Sequence, residues 1–498
     1  MIRWYTSGDA NGRDAKRQDS PAHPRPGVGL PPSERDRTDA VSAPPSFVVI
    51  VSDTLRRDHL GAYGNEWIHT PALDRLAARS VVFDSHLIGS FPTMPARADL
   101  LTGRLSLTFM TWAPLPASLP TLPQLLSEAG YLTMGIVDTP FYVRNGFGYD
   151  RGFQDFNWLR GQGDASRMAE RLDARSTWRH ESDRWVARTT TAAEEWLERH
   201  YAEQFFLLVD VWDPHEPWNP PDYYTKRYAP DYDGRETETG YDNWRDAGLT
   251  EDDVRLSHAT YCGEVSLMDR WVGRLVEKLD VLGIADTTVL VFVSDHGYYF
   301  GEHDYLGKSV WDAELGTQSW SPLYRQIVEV PLMMQVPGVA PRRTDALTTL
   351  VDVPATVLDL AGVDAPADIA GRSLAPVLRG ETDVHRELVV SGWPLEYQKG
   401  RITIAVDSWP RRIAHDQPIT ITGRGLSLIV GGPEDDLELY DLQGDGAELH
   451  NVAAERPDDA VALLTDALAD LLACGTSEEL LTPRRLALER FRRATGRP

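Results

Sequence analysis

Thr288–Val293 reads TVLVFV and runs straight into Ser294-Asp295-His296-Gly297. A short, uncharged, β-branched and aromatic run of this kind fits a strand covered on both faces. Phe47–Val51 (FVVIV) is built the same way and runs into Ser52-Asp53-Thr54, and Phe205–Val209 (FFLLV) is a third such run. Helical patterns lie between them, at Pro71–Arg79 and Leu122–Ala129. The clearest spans Arg255–Leu279, where Cys262, Val265, Met268, Trp271, Val272, Leu275, Val276 and Leu279 recur at helical spacing, with Gly283 beyond the end. Buried strands alternating with helices predict an α/β fold: a large, mixed but mostly parallel sheet sandwiched by helices.

Working outward, residues 1–45 are polar and rich in Pro, Arg and Asp without apolar periodicity, which predicts a disordered leader. The main α/β domain is expected over 46–378. After about residue 380 the texture changes to short strand-like pieces, at 388–390, 401–406 and 427–430, followed by a helix at Ala460–Leu472. A smaller C-terminal α+β subdomain over 379–475 fits this, with a helical tail at 476–498.

Bulk properties narrow the partners. The 498-residue chain is long enough for a large core, and its formal net charge of −25 excludes nucleic acid, whose phosphates are held by basic patches. A small anionic substrate needs only local positive charge and stays allowed. Self-association into a homo-oligomer is left open. The two cysteines, Cys262 and Cys474, lie far apart and provide neither a disulfide framework nor a CxxC-type zinc site. With no signal-peptide pattern and no apolar run near the ~18 residues that span a bilayer, a cytoplasmic protein without membrane attachment is expected.

Chemistry concentrates at three places. Asp53 and Asp295-His296 each follow a buried strand, and ligands of open α/β sheets bind outside the carboxyl ends of the strands. Carboxylate and imidazole donors suit a divalent cation. Read singly, Asp53 is an ordinary loop start. Thr93, in Ser90-Phe91-Pro92-Thr93-Met94-Pro95, stands where a loop enters a helix that ends before Gly103. An anion is favoured at such a helix N-terminus, and a metal-bound hydroxyl there would be activated for attack. Arg97, one turn on, would clamp the oxygens of the transferred group. Alone, Thr93 reads as an ordinary N-cap.

Together the motifs resemble the sulfatase family of the alkaline phosphatase superfamily, from Phe47 to about Asn451. SDTLRRDHLGAYG (52–64) looks like the first metal motif, TPALDRLAARSVVFDS (70–85) like the segment after it, and TMPARADLLTGR (93–104) like the nucleophile signature. FFLLVDVWDPHEPWNPP (205–221) is similar to the segment with a substrate-facing His, and SDHGYYFGEHDYLGKS (294–309) to the late metal motif with its His and Lys. EVPLMMQVPG (329–338), LVDVPATVLDLAGV (350–363) and ELYDLQGDGAELHN (438–451) match recurring structural segments. The resemblance implies one divalent metal ion, Ca²⁺, Mn²⁺ or Zn²⁺, held by Asp53, Thr93, Asp295 and His296. It gives His215 and Lys308 the substrate oxygens or the leaving group, and it makes His303 and Asp213 secondary candidates.

Three departures bear on mechanism. The family's nucleophile is a Cys or Ser converted to formylglycine, and Thr93 cannot yield that aldehyde because its Cβ carries a methyl group. The Lys-x-His expected near Gly135–Thr139 is absent. Thr54 stands where many members have a second Asp. These departures imply an alkoxide mechanism without formylglycine, leaning to a phosphodiester or phosphonate monoester. A true sulfuric ester hydrolase, a phospho-group transferase and a non-catalytic metal-binding pseudoenzyme are the rival readings.

Overall fold

The computed structural model describes residues 44–139, 142–143, 146–159, 178–312, 317–319, 321–395, 418–431 and 437–497. All but the last two residues of the leader expected over 1–45, and the strand expected at 401–406, lie outside these residues. Eight strands form the central sheet: β1 (Ser46–Ser52), β2 (Val81–Phe83), β3 (Leu132–Val137), β4 (Asp155–Trp158), β5 (Phe205–Val211), β6 (Thr288–Ser294), β7 (Leu332–Gln335) and β8 (Arg342–Thr344). Their spatial order is β8-β2-β7-β6-β1-β5-β3-β4. Every adjacent pair is parallel except those made by β7, which runs antiparallel to both β2 and β6.

The doubly apolar strands follow from what covers them. Along β1, Val48 and Ile50 enter one core with Leu290, Phe292, Leu207 and Val209 beneath the long helix Glu251–Val281. Phe47, Val49 and Val51 enter the opposite core, with Val291, Val293, Leu208 and the helices Thr93–Thr102 and Asp352–Ala361. Side chains alternate across a strand, so apolar residues at every position require a layer on each face. Each such side chain contributes about 1.5–3 kcal/mol by leaving water.

Register then sets the site. Ser52 pairs with Ser294 on one side and Val211 on the other, while Asp210 faces Val51 and Val137. Asp53 and Asp295 therefore leave neighbouring strands at the same level, with Asp210 one strand away. The helix Thr93–Thr102 points its first turn at this edge. All ten of its residues are buried, which explains why it shows no amphipathic stripe. Gly103 closes it with φ 67°, a left-handed conformation that an unbranched Cα adopts without strain.

A second, antiparallel sheet of β9 (Leu388–Gly392), β10 (Ile419–Gly423), β11 (Leu426–Val430) and β12 (Leu437–Asp441) packs on the helix Pro457–Ala473. Ile421, Leu428, Leu439, Leu463, Leu464 and Leu471 form its core. A further helix, Glu478–Thr495, adds Leu481 and Leu488. No helix among the described residues is long and apolar enough to cross a membrane.

Candidate active site

Asp53, Asp295 and His296 meet at the carboxyl ends of β1 and β6. One ligating atom from each lies within 4.8 Å of the other two, and all three side chains are buried. His296 Nδ1 lies 3.0 Å from the Gly297 carbonyl, which can only accept, so the ring proton sits on Nδ1 and Nε2 is left with a lone pair. Burial and the Lys308 ammonium push the His296 pKa down to about 3, so the ring is neutral at physiological pH. Thr93 Oγ1 stands 3.3 Å from that Nε2. Asp53 Oδ2 lies 3.0 Å from Arg97 Nη1 yet makes no hydrogen bond, and burial together with Asp295 pushes the Asp53 pKa up to about 7. An unsatisfied buried carboxylate oxygen, a bare imidazole nitrogen and a hydroxyl make a donor set that fits a divalent cation.

Thr54 is held in an unusual conformation there. Its φ is 61°, a region that β-branched residues avoid. Four bonds hold it: its N–H donates to Asp295 Oδ1 (2.8 Å), its hydroxyl to Asp53 Oδ1 (2.7 Å), and its carbonyl accepts from Tyr261 (3.0 Å). The fourth comes from Lys308 Nζ, which donates to its Oγ1 at 3.2 Å. Thr54 thus orients both the Asp53 and the Asp295 carboxylate.

Arg97 is brought to the site, where its contacts are with buried acids. Its Nε and Nη2 grip Asp210 as a fork (3.0 and 2.8 Å), and Nη1 bonds Asp295 beside Asp53. Every guanidinium nitrogen faces a carboxylate, so Arg97 balances the charge of three buried acids. Asp210 was missed in the sequence, although a lone acid in the buried strand FFLLVDV is a visible signal. It also accepts from the Thr139 and Tyr142 hydroxyls. Where the family's Lys-x-His is lacking, Asp138 ties the Trp212 amide (2.6 Å) to the Thr189 hydroxyl (2.8 Å).

Lys308 Nζ also lies 3.5 Å from Glu216, a second residue that the sequence did not single out. His215 stacks on Trp212 with ring centres 3.7 Å apart, and its Nδ1 donates to the Glu216 carbonyl at 2.6 Å. Burial first, then Lys308, hold its pKa well below the usual imidazole value. Two secondary candidates sit apart. Asp213 accepts from the Val186 amide (3.3 Å) and so serves the N-terminus of the helix Trp185–His200. His303 lies face to face on Tyr324, with ring centres 3.6 Å apart, against the core that joins Tyr324 to Tyr440.

A buried acid–imidazole cluster at the strand ends, faced by a hydroxyl on a helix N-terminus and by a lysine, is the equipment of an ester hydrolase. The family model described as Sulfatase matches residues 45–363, and the chain belongs to that family. It is 25% identical over 463 residues to the uncharacterized sulfatase YidJ of Escherichia coli (strain K12), covering 86% of this chain and 87% of that protein. It is 25% identical to an arylsulfatase of Clostridium perfringens (strain 13 / Type A), covering 69% and 80%. In fold it is similar to the crystal structure of the phosphonate monoester hydrolase of Agrobacterium radiobacter, with TM-score 0.67, 21% identity, and 86% and 95% of the two chains covered. The protein is a sulfatase-family ester hydrolase.

Proposed function

We propose that the chain hydrolyses small anionic esters through Thr93 as an alkoxide nucleophile, with a phosphodiester or phosphonate monoester as the preferred substrate. The observation that carries this reading is the Thr93 hydroxyl, 3.3 Å from the bare nitrogen of His296 in the Asp53–Asp295–His296 cluster. These three residues and Thr93 would hold one divalent cation, which supplies Lewis-acid polarisation of the ester and lowers the hydroxyl pKa. Thr93 passes its hydroxyl proton to solvent, and its oxygen attacks phosphorus or sulfur in line with the leaving alcohol, whose bond to that atom breaks. Lys308 protonates the departing oxygen. It suits this role better than His215, whose ring is neutral and whose Nδ1–H is already bonded to the Glu216 carbonyl. Lys308, left neutral, then takes a proton from a water that attacks phosphorus or sulfur from the opposite side and breaks the bond to Thr93 Oγ1. Arg97 keeps the three carboxylates paired throughout.

The lean toward phosphorus rests on Thr93, whose branched Cβ forbids the aldehyde used in sulfuryl transfer. The phosphonate monoester hydrolase likeness adds that this fold houses phosphorus chemistry, and the arylsulfatase relative keeps sulfate as the second reading. A reducing compartment such as the cytoplasm suits two cysteines that are not joined in a disulfide. The deciding test is a parallel assay of nitrophenyl sulfate, phosphate, phosphodiester and phenylphosphonate with wild type and Thr93→Ala, metal-stripped and reloaded. The expected result is a phosphorus preference, with the variant slower by about 10³-fold or more. A folded, active Thr93→Ala protein would remove the nucleophile assignment, and preference for the sulfate would reverse the substrate.

A further inference from the structure

We propose that His59, His258 and Cys262 form a second metal site, for a borderline-soft cation of the zinc class. One ligating atom from each of the three lies within 4.8 Å of the other two. His59 and His258 present Nε2 to Nε2 at 2.7 Å. Asp58 Oδ1 lies 2.8 Å from His59 Nδ1 and fixes the proton there, which leaves His59 Nε2 with its lone pair aimed at His258. A carboxylate that orients a histidine from behind is the usual outer partner of a metal-bound imidazole. Cys262 follows His258 by one helical turn on Glu251–Val281, so the two project from the same face.

The surroundings suit a doubly charged soft ion. Trp67, Phe300 and Tyr261 pack edge-on or tilted against the imidazoles, with the Trp67 ring 5.5 Å from each histidine and 53% exposed as the outer cover. The nearby charges are Arg56, which pairs with Asp58 and Glu302, leaving one negative charge in excess. A Cys262 thiolate would add a second, and a divalent cation neutralises both. Burial first, with Asp58 adding to it, keeps the Cys262 thiol protonated; a metal displaces that proton, as thiol ligation does generally. Two imidazoles and one sulfur favour zinc over calcium or magnesium, which take oxygen donors. The consequence is structural: the site would fasten the Arg57–His59 turn, four to six residues past Asp53, to the long helix whose Tyr261 already holds Thr54.

Cobalt titration of the full-length protein tests this directly. Sulfur bound to Co²⁺ gives a near-ultraviolet charge-transfer band, and the oxygen- and nitrogen-lined cluster at Asp53 cannot produce it. The expected band saturates with one cobalt on the sulfur site, within two equivalents in all, disappears in Cys262→Ser and His258→Gln, and persists in Cys474→Ser and Asp295→Asn. On the wild type alone, Zn²⁺ should slow alkylation of Cys262, read by mass spectrometry, without protecting Cys474. No band in the wild type, a band that survives Cys262→Ser, or equal alkylation with and without Zn²⁺ would overturn the proposal.

Discussion

Two triads share the segment SDTLRRDH (52–59) and are built on opposite physical plans. Asp53, Asp295 and His296 are brought together by strand register: Ser52 lies opposite Ser294, and the residues after them converge without any side chain reaching far. His59, His258 and Cys262 are brought together by helix periodicity and by the packing of a loop against that helix. The first cluster is oxygen-rich and balanced by Arg97 and Lys308; the second is rich in nitrogen and sulfur and walled by aromatic rings. Side-chain hardness sorts cations between such sites, so one chain would hold a catalytic ion and a fastening ion without competition.

The sharpest break between them is a double dissociation. Asp295→Asn should lower turnover by more than the roughly 10²-fold typical of losing even an outer-shell partner, while the cobalt–sulfur band is unchanged. His258→Gln should remove the band while turnover stays within about twofold, since an outer fastening point carries none of the 10²-fold losses of the site itself. Turnover lost in both variants would mean the two clusters act as one.

A stability measurement comes next. Arg97 stands against three buried carboxylates, so Arg97→Leu should cost about 3–5 kcal/mol in denaturant unfolding, because the acids are left uncompensated. Added Mn²⁺ or Ca²⁺ should restore part of it, because a cation among the acids replaces the missing charge. If the melt shows no loss, the carboxylates are already protonated or hydrated. If loss occurs without restoration, no cation enters the catalytic cluster of the variant.

The smallest effect lies on the bridge between the triads. The Tyr261 hydroxyl accepts from the Arg56 amide at 2.9 Å and donates to the Thr54 carbonyl at 3.0 Å. Tyr261→Phe should cost about 1–2 kcal/mol and lower turnover severalfold by relaxing Thr54 from φ 61°, with the cobalt band intact. Unchanged turnover would show that the other three bonds to Thr54 suffice.

The sequence by itself determined the doubly buried strands, the helix headed by Thr93, the Asp295-His296 pair and the family. Each is written in a few adjacent residues, where period, composition and donor type act locally. It also showed that Thr93 carries a methyl group on Cβ and so cannot be converted to the aldehyde that Cys or Ser gives. Only the tertiary structure decided what the side chains do to one another. Arg97 reaches Asp210 across 113 positions, Thr54 reaches Asp295 across 241, and His59 meets His258 across 199. Those pairings depend on strand register and on how a helix settles over a sheet, which sum many weak packing terms spread along the chain. A lone cysteine in a helix stripe and a histidine in a loop therefore read as core and surface until packing brings their ligand atoms within reach.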